Sequence, residues 1–183
     1  ANTLAAVRVG AIHVQGTMNG YGERCGNANL CTVIPNLEIK MGLSALPEGR
    51  LTQLTRAART VASISNLPFD HHTAFVGRSA FAHKGGVHIS AVEKNPSTYE
   101  HVDPALIGNR RRVLVSDLSG RAAIKRKAED YGLRISKKDP VAMQVLEELK
   151  DLENQGFQFE AAEASFELLI NKAMGRSKRY FEL

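Results

Sequence analysis

Gly16-Thr17-Met18-Asn19-Gly20-Tyr21-Gly22-Glu23-Arg24-Cys25-Gly26-Asn27-Ala28-Asn29 sets glycines, a charged pair and three asparagines between a predicted strand and a predicted helix. Glycines at this spacing let backbone amides and carbonyls approach a ligand closely. The polar side chains between them can bind a metal or a developing negative charge, so the stretch reads as an active-site loop. The competing reading is a polar turn with no chemistry, since Gly and Asn are ordinary turn residues. Upstream, Leu4, Ala5, Val7 and Ala11 suit the end of a helix, Gly10 suits its stop, and Ile12-His13-Val14-Gln15 suits a short strand. Downstream, Leu30, Val33, Ile34, Leu37 and Met41 fall at helical spacing over Ala28 to Met41, with Pro35 kinking or restarting that helix. Helix, strand, Gly-rich loop and helix make one final turn of an α/β unit, and a lone strand cannot make a sheet. With no initiator Met, the sequence is expected to start inside a larger structure.

The rest is mainly helical. Pro47 precedes Leu51, Leu54, Ala58, Val61 and Ile64, a one-sided apolar stripe that ends at Asn66-Leu67-Pro68. A second helical region is expected over Ala80 to Glu93, a short strand at Val113-Leu114-Val115, and a turn over Ser116 to Gly120. Two or three further helices follow: Ala122 to Tyr131 stopped by Gly132, Pro140 to Asn154 capped by Asp139 and stopped by Gly156, and Glu160 to Met174 stopped by Gly175. Val141, Val145, Leu149 and Leu152 in one, and Phe166, Leu169, Ile170 and Ala173 in another, form core stripes.

At 183 residues, 43% apolar and 23% charged, the chain has room for one domain or two small ones and the make-up of a protein that folds in water. No apolar run approaches the ~20 residues that span a bilayer, and nothing resembles a secretory signal. A cytoplasmic location is expected. Cys25 and Cys31 lack the paired spacing of a zinc site and read as free thiols. The net charge of +5 gathers in Arg110-Arg111-Arg112, Lys125-Arg126-Lys127, Lys137-Lys138 and Arg176 to Arg179. These groups are scattered over several elements, and no aromatic residues interleave with them for base stacking. They read as a solvated surface, which argues against a nucleic-acid partner; an anionic metabolite or phosphorylated cofactor would also tolerate the charge.

A second constellation is Phe81-Ala82-His83-Lys84-Gly85-Gly86-Val87-His88, followed by Tyr99-Glu100-His101-Val102-Asp103-Pro104. Two histidines five apart in one helix are separated by about 140°, so His83 and His88 do not form a helical zinc face. His83 reads as a structural residue. His88 follows a Gly-Gly pair that would let another surface approach it. His71-His72 follows Pro68 and reads as an exposed loop.

The segments Val14-Gln15-Gly16-Thr17, Tyr21 to Asn29 and Ser79 to His88, with Tyr99 to Gly108, resemble the 2-isopropylmalate, homocitrate and citramalate synthase family almost from end to end. Together with Glu160-Ala161-Ala162-Glu163-Ala164-Ser165-Phe166-Glu167, they are most similar to its (R)-citramalate branch. The resemblance implies a (β/α)8 barrel, then a helical linker of two small subdomains, then a regulatory domain. On that footing residues 1–43 are the last strand-helix unit of the barrel, residues 44–120 are linker subdomain I and residues 121–183 linker subdomain II. A whole barrel needs ~250 residues, so the chain is expected to be a fragment, inactive alone. The implied fold is mainly α with minor β.

The reaction implied is a Claisen condensation of acetyl-CoA with a 2-oxo acid, pyruvate being favoured and 2-oxoisovalerate or 2-oxoglutarate the alternatives. A divalent metal, Mg²⁺, Mn²⁺ or Zn²⁺, would polarise the keto carbonyl. Asn27 matches the family's metal ligand on the loop after the last barrel strand; its Asp and His-x-His partners lie on strands this chain does not carry. Glu23 and Arg24 match a charged pair implied to fix that loop through an ion pair and hydrogen bonds, in preference to a direct substrate contact. His88 and Tyr99 match a linker dyad implied to reach the active site of a second subunit of a homodimer, His88 there serving proton transfer. Whether it takes the methyl proton or activates the hydrolytic water stays open. His83 lies in the same motif as a supporting residue. Cys25, often Ala in the family, reads as a small buried side chain. Arg110 to Arg112 read as solvated in preference to facing CoA phosphates. The competing reading of a different class is a helical oligomerisation module, its apolar faces seeking a partner.

Overall fold

The computed structural model describes residues 1–115, 120–136, 139–160 and 162–177. The chain divides into two compact units, Ala1–Phe81 with Glu100–Arg111, and Ala82–Tyr99 with Arg112–Leu183. As the sequence implies, it is mainly helical, with two short parallel strands.

In the first unit, helix α1 (Asn2–Arg8) buries none of its residues and gives way to Gly10. The strand expected over Ile12 to Gln15 does not form. A strand exists only with a ladder partner, and among the described residues none runs beside it; Ile12 is fully exposed, and the nearest pairing is one bridge between Thr17 and Asn29. Helix α2 (Leu30–Pro35) is capped by Asn29, whose side-chain oxygen accepts from Cys31 N at 2.9 Å. Pro35 has no N–H to give back, and directly after it the helix widens into a π-type turn over Asn36–Lys40, the disturbance the sequence foretold.

Helix α3 (Leu54–Ile64) follows a tight turn at Arg50–Gln53 and buries Leu54, Thr55, Ala58 and Ala62. The buried Thr55 hydroxyl donates to Ile107 O at 2.7 Å, and Asn109 Nδ2 donates to the carbonyls of Phe75 and Gly77. Cys31, Leu54, Ala58, Phe75, Val76, Phe81, Val102 and Ile107 form this unit's core.

In the second unit, β1 (Ala82–His83) runs parallel to β2 (Arg112–Val113), with Ala82 opposite Arg112 and His83 opposite Val113. The helix expected from Ala80 to Glu93 therefore starts only at Gly86: its first residues are drawn into the strand pair, and α4 spans Gly86–Lys94. The strand expected at Val113 to Val115 likewise begins one residue earlier and is shorter. Helices α5 (Arg121–Asp130), α6 (Pro140–Asn154) and α7 (Glu163–Ala173) follow, with Asp139 capping α6 through Val141 N at 3.0 Å. Ile124, Val145, Leu149, Phe166 and Ile170 lie at the centre of their shared core. The turn read at Ser116 to Gly120 falls on 116–119, outside the described residues, as do Lys137 and Lys138. No described helix is long and apolar enough to cross a membrane.

Candidate functional site

The Gly-rich loop is held by its own backbone. Thr17 N donates to Ala28 O at 3.0 Å and Leu30 N to Thr17 O at 2.9 Å, closing the loop's base. Inside it, Asn27 N donates to Gly20 O at 2.9 Å and Gly26 N to Glu23 O at 3.0 Å. The Asn27 side chain turns Nδ2 to the Tyr21 carbonyl at 3.1 Å, and Thr17 Oγ1 donates to the same carbonyl at 2.6 Å. A carbonyl can face only the NH₂ of an amide, so the Asn27 oxygen is the atom left for a ligand; among the described residues no donor reaches it.

The glycines are needed for this packing. A Cβ on Gly22 would stand 2.0 Å from Asn27 Nδ2, and one on Gly26, at φ +87°, would stand 2.1 Å from Gly20 O. The loop is thus a cradle for one amide whose oxygen is presented to solvent. One neutral oxygen donor is of the kind that suits a hard divalent cation. Among the described residues no three His, Cys, Asp or Glu side chains gather as a metal site.

Glu23 and Arg24 lie exposed on the outer side of the loop, and no ion pair involving either is found among the described residues. What Glu23 contributes is its carbonyl, accepting from Gly26 N, while Arg24 takes a left-handed φ of 56°. Cys25 is exposed, not buried as read from the sequence, because the turn closed by Gly26 N swings residues 24 and 25 outward. Cys31 is the buried thiol, and both cysteines are free. Burial pushes the Cys31 thiol above its ordinary pKa.

In the second unit the structure brings His88 and Tyr99 together. Their ring centroids are 4.3 Å apart with the planes inclined at 33°. His88 stands in the first turn of α4, and Tyr99 closes a short turn over Pro96–Thr98 begun by Asn95, whose side chain accepts from Ser97 N at 3.1 Å. Both rings reach solvent, Tyr99 being 48% exposed, and the neighbouring Val87 is exposed too. His83 is buried on β1, its carbonyl accepting from Leu114 N. His71 and His72 are exposed.

The basic runs differ from the solvated surface read in the sequence. Arg111 grips the buried Glu100 carboxylate through Nε and Nη2, at 2.6 and 2.5 Å. Arg112 and Lys127 converge on Glu163 at 3.4 and 3.3 Å, and Lys127 is only 8% exposed. Burial alone would raise the Glu163 pKa, but the Lys127 and Arg112 charges hold its carboxyl below the ordinary value. Tyr131 donates to Glu163 O at 3.0 Å; burial first, then the Glu163, Glu167 and Asp130 carboxylates, push its phenol up to about 12. The partners lie far along the chain, which is why a run of Lys and Arg reads as surface until the fold is known.

With this geometry in place, the likeness to other proteins follows. Residues 1–61 match the HMGL-like family and residues 75–156 match the family described as homocitrate synthase post-HMGL domain-like. The chain belongs to the HMGL-like/homocitrate synthase family. Among its relatives, the (R)-citramalate synthase of Geobacter sulfurreducens is 52% identical over 100% of this chain and 35% of the relative. That of Synechocystis is 55% identical over 99% of this chain and 33% of the relative. The 2-isopropylmalate synthase of Lysinibacillus sphaericus is 43% identical over 74% of this chain and 27% of its own length. The chain spans about a third of the length of the curated relatives it matches.

Proposed function

We propose that this chain is part of an (R)-citramalate synthase, a cytoplasmic homodimeric acyltransferase that condenses acetyl-CoA with pyruvate. The observation that carries the reading is the identity of 52% and 55% to (R)-citramalate synthases over nearly the whole chain, against 43% and 37% to 2-isopropylmalate synthases. In this reading residues 1–43 close the catalytic barrel, and residues 44–120 and 121–183 form the two linker subdomains. The chain alone does not turn over, since Asn27 offers one ligand of a set.

Asn27 would hold the divalent ion through its side-chain oxygen, with Mg²⁺ or Mn²⁺ best suited to an amide donor and Zn²⁺ admissible beside imidazoles. When bound, that ion polarises the keto carbonyl of the 2-oxo acid. Glu23 and Arg24 shape the loop from outside, and the cradle at Gly22 and Gly26 keeps the Asn27 oxygen facing outward. His88 serves proton transfer through its imidazole, a group that can both accept and donate a proton. Tyr99 lies against the imidazole and orients it, and His83 supports the segment from the strand pair. The methyl carbon of acetyl-CoA loses a proton and bonds to the keto carbon, the carbonyl oxygen becomes a hydroxyl, and water cleaves the thioester to release CoA thiol.

The test is the rate of thiol release from acetyl-CoA by the full-length synthase with pyruvate, 2-oxoisovalerate or 2-oxoglutarate. Preference for pyruvate supports the proposal. Preference for another acid keeps the family and overturns the citramalate assignment; no release with any of them would favour an oligomerisation module.

A further inference from the structure

Asn19 takes no part in the chemistry proposed for the loop, yet its side chain and backbone N–H are both engaged. Its backbone is left-handed, at φ 60° and ψ 7°, a conformation that Asn tolerates better than other side-chain-bearing residues. Gly20 follows at φ 73°, and Tyr21 N donates to Met18 O at 3.3 Å, so Asn19-Gly20 forms a tight turn of the kind that pair favours. Every polar group Asn19 turns inward is used. Nδ2 donates to Ala58 O on α3 at 2.8 Å, Oδ1 accepts from the Cys31 thiol at 3.4 Å, and the backbone N–H donates to that same sulfur at 3.4 Å. Ala58 and Cys31 are both fully buried core residues. Asn19 therefore fastens the turn to α2 and α3 at once.

The turn is what Asn27 rests on. Gly20, the next residue, supplies the carbonyl that accepts from Asn27 N at 2.9 Å, and Tyr21, the one after, supplies the carbonyl that accepts from Asn27 Nδ2 at 3.1 Å. Both hydrogen bonds that orient Asn27 thus end on the two residues directly following Asn19. Glu23, Arg24 and Cys25 are exposed and hold nothing to the core, whereas Asn19 makes a side-chain hydrogen bond into α3.

We propose that Asn19 is the positioning residue of the loop: its amide, read against Ala58 and Cys31, sets where Gly20 and Tyr21 stand and so where the Asn27 oxygen points. This inference rests on the assignment of Asn27 as a metal ligand. It predicts that the amide itself matters, and that a left-handed backbone alone is not enough.

The discriminating variant is Asn19→Gly, which keeps the turn's backbone and removes the amide, compared with Asn27→Ala in the full-length synthase. Hydrogen exchange of the peptide covering Gly20 to Asn29 and Mn²⁺ affinity by electron paramagnetic resonance are measured on each, with thermal unfolding to confirm folding. For Asn19→Gly the expected result is faster exchange in that peptide, Mn²⁺ binding weakened at least tenfold, and KM for acetyl-CoA changed less than twofold. Unchanged exchange overturns the proposal. Faster exchange with wild-type Mn²⁺ affinity, when Asn27→Ala does weaken Mn²⁺, overturns the link from Asn19 to the ligand. If Asn27→Ala leaves Mn²⁺ affinity intact, the ligand reading fails, and with it the metal-positioning role, whereas the exchange result still decides whether Asn19 holds the loop. A merely structural Asn19 would lower the unfolding temperature with no selective effect on Mn²⁺.

Discussion

Gly22→Ala separates the orientation of Asn27 from the stability of the fold. Gly22 does not adopt the left-handed φ of Gly20 and Gly26, so its backbone accepts an alanine, and losing a glycine reduces the freedom of the unfolded chain. The added Cβ, however, stands 2.0 Å from Asn27 Nδ2. Ordinary non-bonded contact lies near ~3.5 Å, so the amide must retreat by about 1.5 Å, enough to end its hydrogen bond to Tyr21 O. A net hydrogen bond contributes about 0.5–1.5 kcal/mol. If that energy is what preorganises the oxygen, metal affinity falls by roughly twofold to tenfold, since ~1.4 kcal/mol is a factor of ten. The displaced atom is the tip of a flexible side chain, so the unfolding temperature should stay close to wild type. Gly26→Ala is the contrast: its Cβ meets the Gly20 carbonyl at φ +87°, which only backbone movement relieves, so it should lower stability as well. The assay is Mn²⁺ titration of the full-length synthase alongside thermal unfolding. Wild-type affinity in a folded Gly22→Ala protein would refute the reasoning.

Three further outcomes follow from the geometry. His88→Ala should lower turnover by ~10²–10⁴-fold, the range of a lost general acid or base, with little change in KM for the keto acid; a raised KM at unchanged turnover would assign it to binding instead. Glu163 has a folded pKa below its unfolded value, so its stabilising effect is complete above about 4.5 and is lost as pH falls through the folded pKa. The unfolding temperature of Glu163→Gln should therefore vary less with pH below that point than that of the wild type; parallel curves would contradict the pairing of Glu163 with Lys127 and Arg112. Tyr131 has a raised pKa, so its contribution persists below pH 10 and disappears as pH rises through about 12. Phenolate absorbance should show a late-titrating tyrosine that Tyr131→Phe removes.

How much of this was legible depended on the range of the interactions involved. Helix α6 could be read to its ends, because Asp139, Pro140 and Gly156 act within one turn of the backbone they cap or stop. The break at Pro35 was readable for the same reason. The strand pair was not: two residues carry no periodicity, and Ala82–His83 is a strand only because Arg112–Val113 lies beside it. Ile12 to Gln15 failed in the opposite sense, having strand-like residues and no partner among the described ones. Lys127 reads as surface from the sequence because Glu163, which pairs with it, is 36 residues away.

At the site, Asn27, His88 and Tyr99 could be singled out from motifs, but the stacking of the two rings is a tertiary fact. The signal for Asn19 in the sequence is the Asn-Gly pair, which marks a turn. What the sequence could not convey was that the turn's asparagine reaches into α3.

The most direct test of the account is a competition experiment on the full-length synthase, with methyl-labelled acetyl-CoA and equal concentrations of pyruvate, 2-oxoisovalerate and 2-oxoglutarate, followed by identification of the labelled product. The account predicts label chiefly in citramalate, at the carbon newly bonded to the former keto carbon, with its formation lost in both Asn27→Ala and His88→Ala. Label chiefly in 2-isopropylmalate or homocitrate, or citramalate formed undiminished by both variants, would contradict it.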